Sequence, residues 1–193
     1  NKKNIYPTPV IGGVGLIQNL IKPLSHKFKK EKSIIILIGK TFGHLEQSCF
    51  LKENYSIIDG NPPEINLINE KNNGEMVLNL IERSLVLSAH DISNGGLIIA
   101  LSEMSMGSNL GIKVEKSNKL RDLNEYFFGE DQGRYVIEID EKNLASVEKF
   151  LKNGNIYYEI IGKTQEKFFE IENEMKIETN SLYKVNNQWY NNY

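Results

Sequence analysis

The sequence predicts an α/β (α+β) fold: a single domain in which helices pack on a mixed sheet. Three observations lead there. Apolar runs of strand length, such as residues 34–38, alternate with segments of helical periodicity, such as Leu97, Ile98, Leu101 and Met104. Glycine, proline and polar clusters separate these segments, with no internal repeat and no low-complexity linker. The length, 193 residues, suits one domain, or one domain with an extension.

The first patterned segment is Pro7-Thr8-Pro9-Val10-Ile11-Gly12-Gly13-Val14-Gly15. Prolines favour extended backbone around them, and three glycines among small apolar residues suggest a strand under close packing. Residues 16–24 suit a short helix. Residues 33–39 form a continuous apolar run, as expected of a strand buried on both faces. A glycine-punctuated loop and short helix follow over 39–51. Asn61-Pro62-Pro63 breaks the chain, and a helix is expected from Glu64, with the prolines near its first turn. Met76, Val77, Leu80, Ile81 and Leu85 direct one stripe of that helix to the core. Residues 85–89 read as a strand and residues 90–96 as a loop. An amphipathic helix starts directly after it and ends near Gly107. Residues 111–115 read as a strand, 120–128 as a helix and 129–133 as a polar turn. Over 134–140, Tyr135, Ile137 and Ile139 alternate with Arg134, Val136 and Glu138, which predicts a half-buried strand. Leu144, Val147 and Leu151 mark a helix over 143–151. Strands are expected at 157–163 and 167–171, and a helix or irregular end over 180–193.

Composition excludes several classes of function. The 23 basic and 25 acidic side chains leave a net charge of −2, so there is no electrostatic footprint for nucleic acid or an anionic membrane. No apolar run is long enough to cross a bilayer, and no signal peptide is visible. The single cysteine, Cys49, cannot form an internal disulfide, which fits a cytoplasmic location. The chain opens on Asn1, so a fragment of something longer is expected.

The best site candidate is Ser88-Ala89-His90-Asp91-Ile92-Ser93-Asn94-Gly95-Gly96, between an expected strand and an expected helix. A helix start offers free N–H groups and the positive end of the helix dipole. Gly95 and Gly96 carry no side chain, so an anion can approach the backbone. Asp91 suits a hard cation such as Mg²⁺, which shares oxygen ligands with phosphate, and Ser93 can donate to a phosphate oxygen. The alternative is that Ser93 or Asn94 only caps the helix, worth ~1 kcal/mol. His90 has no evident nucleophile or proton donor in reach, and a histidine held by a turn carbonyl is the favoured reading. His26 and His44 lie in polar stretches and read as solvated. The histidines and Cys49 show no metal-ligand spacing. Glu130, Asp131 and Gln132 read as a solvated turn, and Gly39-Lys40-Thr41 lacks the upstream glycine of a phosphate loop.

Taken in order, four segments carry a family resemblance. They are Pro7 to Gly15, Gly39-Lys40-Thr41, Ser88 to Gly96, and Phe128-Gly129-Glu130-Asp131-Gln132-Gly133-Arg134. Together they resemble the C-terminal part of the synthetase component of phosphoribosylformylglycinamidine synthase. The resemblance implies an aminoimidazole ribonucleotide synthetase-like C-terminal domain over 1–175, with a C-terminal extension over 176–193. It implies membership of an ATP-dependent ligase that makes formylglycinamidine ribonucleotide from formylglycinamide ribonucleotide, ATP and ammonia. ATP and Mg²⁺ are then held mainly by domains absent from this chain, and the isolated chain is expected to be inactive. The implied partners are the N-terminal domains of the same synthetase, a glutaminase subunit and a small accessory subunit.

The same resemblance implies that the chain is the C-terminal domain of the second of two similar halves and holds no catalytic residue. An auxiliary nucleotide site falls on its loop, with Asp91 on the metal and Ser93, Gly95 and Gly96 at the nucleotide. Two positions depart from the family pattern: Asn94 stands where the family usually has Asp, and Asp131 where it often has Ser. The competing readings are a non-catalytic packing module, or a domain of a related ATP-dependent enzyme such as a selenophosphate synthetase or a hydrogenase maturation protein. The Pro-Thr-Pro-Val and Phe-Gly-Glu-x-Gln-Gly-Arg segments favour the purine enzyme.

Overall fold

Ile34–Ile38 forms β1, and all five of its residues are buried. The computed structural model describes residues 10–16, 24–115 and 122–191. After β1 come α1 (Cys49–Tyr55), α2 (Leu67–Glu82), β2 (Ser88–Asp91), α3 (Gly96–Met106), β3 (Leu110–Val114), α4 (Leu123–Phe128) and β4 (Tyr135–Ile139). A 3-10 turn at Glu141–Asn143 leads into α5 (Leu144–Asn153). Then follow β5 (Tyr158–Glu166), β6 (Phe168–Ile171), β7 (Met175–Glu178) and α6 (Thr179–Asn191). Among the described residues the strands form one sheet in the order β2-β4-β1-β5-β3-β6-β7. It is mixed: β3 and β6 run parallel, and the other neighbours are antiparallel. The expected α+β architecture is therefore present.

Helices cover both faces of the sheet, which explains why β1 is apolar at every position. Ile34, Ile36 and Ile38 pack with Val77 and Leu80 of α2 and Val147 and Leu151 of α5. Ile35 and Leu37 pack on the other face with Leu97, Leu101 and Met104 of α3 and Phe127 of α4. The expected helical stripes are in phase.

The same double cover corrects the expectation for β4. Val136 and Glu138 are fully buried like Ile137 and Ile139, so no face of this strand is wet. The Glu138 carboxylate is satisfied internally, by the Lys29 and Lys30 N–H groups (2.8 and 3.0 Å) and the Ser88 hydroxyl (2.7 Å). A buried carboxylate with three donors needs no solvent.

Several boundaries move. α2 starts at Leu67, three residues later than expected, because the Asn66 side chain accepts the Asn69 N–H at 3.0 Å. The prolines lie upstream of its first turn. Asn66→Ala should therefore cost ~1 kcal/mol in urea denaturation, and an unchanged midpoint would place the cap elsewhere. β2 runs from Ser88 to Asp91, so His90 and Asp91 end a strand and the loop shrinks to 92–95. Residues 10–16 form no strand: Val10, Ile11, Val14 and Leu16 are almost fully exposed, and a Cβ on Gly12, Gly13 or Gly15 would meet nothing. Of the expected helix over 16–24, residues 17–23 lie outside the described residues. So do residues 120–121 at the start of the expected helix over 120–128, which is described as α4 from Leu123. β7 pairs with β6 and α6 packs on α3, so sheet and helical layer continue across residue 175. Among the described residues no helix is long and apolar enough to cross a membrane.

Candidate functional site

Sheet pairing gathers three of the sequence segments. Tyr135, the first residue of β4, lies opposite Ile38 at the end of β1 and opposite Asp91 at the end of β2. The loop after β1, the loop after β2 and the turn before β4 therefore meet at one sheet end.

Arg134 ties them together, its side chain joining the loop after β1 to the turn before β4 and its carbonyl accepting from Ile92 N of the loop after β2 at 2.9 Å. It is 1% exposed, and its guanidinium donates to the Thr41 hydroxyl (3.0 Å), the Asp131 carbonyl (3.1 Å) and the Gly129 carbonyl. Burial pulls its pKa below the ordinary arginine value, and Asp131 pushes it back up. The Asp131 carboxylate is buried too, 4.0 Å from Arg134 Nη1. It accepts the N–H groups of Phe42 and Gly43, both at 2.9 Å, and of His44 at 3.3 Å. Glu130 is half-buried and accepts from Cys49 N (2.8 Å) and Gly95 N (2.7 Å). The solvated turn expected at 130–132 is thus largely an internal hub, with only Gln132 exposed. Alternating hydrophobicity could not reveal this. The available signal was a cluster of two carboxylates and an arginine bounded by glycines.

From the end of β2 to the start of α3, Asp91, Ser93 and Asn94 are exposed, whereas Ile92, Gly95 and Gly96 are buried. Gly95 and Gly96 sit at φ +79° and +73°, left-handed values that favour glycine. A Cβ on Gly96 would lie 2.7 Å from the carbonyl oxygens of Phe127 and Gly129. The glycine pair therefore lets two chain segments close on each other, and its backbone is not bare as the sequence suggested. Gly96 N donates to the Ser93 carbonyl at 3.1 Å. No side chain of the loop caps α3, so neither Ser93 nor Asn94 acts as a simple cap.

Asp91 points into solvent with 72% of its side chain exposed, and its carboxylate is 3.4 Å from His90 Nδ1. His90 is held at both ring nitrogens: Nδ1 lies 2.6 Å from the Asp91 carbonyl and Nε2 2.9 Å from Glu103 Oε2. That leaves no free nitrogen for proton transfer. His26 stacks edge-on against His90, with ring centroids 5.3 Å apart. Burial and His90 hold its pKa below the ordinary histidine value. His44 Nε2 lies 2.8 Å from the Asn61 carbonyl.

Among the described residues, no three His, Cys, Asp or Glu side chains are grouped to hold a metal ion. One exposed carboxylate still suits Mg²⁺, which keeps waters and phosphate oxygens and often takes one or two protein carboxylates. Asp91 presents such a carboxylate. A separate groove of about 520 Å³ opens between Gly39 and Lys40, Asn66, Asn69 and Glu70 of the α2 start, and Tyr157. Four segments distant in the chain line it, Asp131 and Gln132 of the turn before β4 among them, so no local pattern could disclose it. Neither Asp91 nor Ser93 is part of its wall.

Residues 31–171 match the family described as AIR synthase related protein, C-terminal domain. The chain belongs to this family. The phosphoribosylformylglycinamidine synthase subunit PurL of Pelagibacter ubique (strain HTCC1062) is 43% identical over 189 residues, 98% of this chain and 26% of that protein. The PurL subunit of Rhodopseudomonas palustris (strain BisB5) is 35% identical over 191 residues, 99% of this chain and again 26% of that protein. The chain thus spans about a quarter of the length of these curated relatives. In fold it is similar to Thermotoga maritima PurL complexed with ATP, with a TM-score of 0.67 at 16% identity, over 86% of this chain and 28% of that one. Within the family's matched stretch lie the Arg134 hub and the loop bearing Asp91 and Ser93.

Proposed function

We propose that the chain is the C-terminal domain of the second half of a phosphoribosylformylglycinamidine synthase synthetase subunit. The whole protein would convert formylglycinamide ribonucleotide, ATP and glutamine-derived ammonia to formylglycinamidine ribonucleotide, in the cytoplasm. The observation that carries this is the 43% identity to a PurL subunit across nearly the full chain. In this proposal residues 1–175 are the domain, and 176–193 an extension that continues β7 on the sheet edge and packs α6 on α3. The partners are the N-terminal domains of the same synthetase, a glutaminase subunit and a small accessory subunit. A PurLQS structure from Thermotoga maritima is among the folds similar to this chain, in keeping with an assembly of several subunits.

In this proposal the chain supplies one wall of an auxiliary nucleotide site and no catalytic residue. Asp91 contributes a carboxylate oxygen to Mg²⁺, and Ser93 donates its hydroxyl to a phosphate oxygen. The Mg²⁺ supplies charge neutralisation for the phosphates. Gly95 and Gly96 give the loop its shape. No Lys or Arg lies in the loop, so the cationic contacts come from the rest of the synthetase.

The test is nucleotide content of the purified full-length synthetase. Ser93→Ala removes one hydrogen-bond donor, worth about 1 kcal/mol or roughly fivefold in retention. Asp91→Asn removes a charged metal ligand and should weaken Mg²⁺-dependent retention by about tenfold or more. Full retention in Asp91→Asn, or no auxiliary nucleotide in the wild type, would reduce the loop to a packing element.

A further inference from the structure

We infer that Glu130 is the internal anion of the α3 start and the positioning residue for the loop that follows Asp91 and carries Ser93. The start of a helix presents unsatisfied N–H groups and a partial positive charge, which draw an anion. In α1, the Ser48 side chain meets part of this demand by accepting from Leu51 N. In α3 no local side chain does so. Glu130 arrives instead from a loop 35 residues further on, and one oxygen, Oε1, accepts Gly95 N at 2.7 Å. The same oxygen accepts Cys49 N, the first residue of α1, at 2.8 Å, across 81 residues of sequence. A single carboxylate oxygen therefore bridges two helix starts.

The surroundings hold Glu130 in place. Its neighbour Asp131 is fixed by three N–H groups of residues 42–44, and its other neighbour, Gly129, accepts from buried Arg134. Gly96 has no Cβ, so the backbone of 127–129 can close over it. Burial and the Glu130 charge push the Cys49 thiol up, as expected for a sulfur beside a carboxylate. The consequence concerns how a nucleotide meets this loop. Gly95 N is occupied by Glu130 and Gly96 N by the Ser93 carbonyl. The two glycine N–H groups are thus closed to a phosphate, which leaves the exposed side chains around them, Ser93 directly and Asp91 through Mg²⁺; Glu130 orients Ser93 through the loop. This last link rests on the function proposed above; the positioning role does not.

The experiment uses the full-length synthetase containing this chain, with amide hydrogen exchange read over residues 45–52 and 92–98. Charge-assisted hydrogen bonds are the strong ones, so Glu130→Ala should speed exchange in both segments together, by about tenfold or more. The β1 segment should stay as in the wild type. Formate, the smallest carboxylate, should slow exchange again in Glu130→Ala and leave the wild type unchanged. Glu130→Gln keeps an acceptor oxygen and loses the charge, so its exchange should fall between the two; it carries the test if Glu130→Ala does not fold. Wild-type exchange at either segment in Glu130→Ala overturns the inference. So does a formate effect equal in variant and wild type, or Glu130→Gln matching the wild type, which would leave no role for the charge. Mg²⁺-dependent ATP retention is measured alongside. If exchange responds as expected and retention does not, Glu130 keeps its role and the nucleotide site falls.

Discussion

Arg134→Ala should destabilise the domain by about 3–5 kcal/mol, the range for removing one partner of a buried charged pair. The side chain is 1% exposed and makes three hydrogen bonds, one to Thr41 in the loop after β1 and two to carbonyls of the turn before β4. Truncation leaves the Thr41 hydroxyl and the Gly129 and Asp131 carbonyls without their donor. It also leaves the Asp131 carboxylate buried, with its N–H donors but without the nearby cation. Arg134→Lys should recover little, because an ammonium cannot present the planar fork that reaches all three acceptors. Thr41→Val removes only one of these bonds and should cost about 1 kcal/mol. Urea unfolding of the three variants, with equal slopes, separates these outcomes. A loss below about 0.5 kcal/mol for Arg134→Ala would mean that water reaches the hub and that its side chain does not tie the loop after β1 to the turn before β4.

This hub marks the border between what the sequence discloses and what it does not. β1 was legible because five consecutive apolar residues have one solution, a strand covered on both faces. The phase of α3 was legible because Leu97, Leu101 and Met104 recur at helical spacing. β4 was misread for a physical reason. Period-two alternation is informative only where one face meets water, and here Arg134 and Glu138 are buried with partners far away in the chain. The sequence shows that such residues are charged, and not that Lys29 N or Thr41 Oγ1 awaits them. The segment at 10–16 was misread in the opposite sense. Its glycines and valines suit close packing, yet the described residues offer it nothing to pack on. In the loop after β2, residue types pointed to Asp91 and Ser93, and the structure leaves both exposed. The convergence of that loop with Thr41 and Arg134 depends on the shared pairing at Tyr135, which no local pattern encodes.

Gly96→Ala should cost about 2–5 kcal/mol, far more than Gly95→Ala, although the two glycines have similar positive φ values. Left-handed backbone accounts for about 1–2 kcal/mol at either position. The difference lies in what each Cβ meets. At Gly95 the contact is the Ile99 side chain, through Cγ1. Ile99 is partly exposed and can turn away. At Gly96 the contacts are backbone: the Phe127 and Gly129 carbonyl oxygens and the Phe128 carbonyl carbon, all at 2.7 Å. Backbone cannot turn away without moving α4's end and the turn that follows, which adds an overpacking cost of about 1–3 kcal/mol. That turn carries Glu130, so the displacement should also pull its carboxylate from Gly95 N and loosen the loop bearing Ser93. Denaturation midpoints give the stability difference, and exchange over 92–98 reports the loop. Equal costs for the two substitutions would show that backbone strain alone explains the glycine pair. Gly96→Ala at full stability with an unmoved loop would mean that the close approach to residues 127–129 is not present in solution.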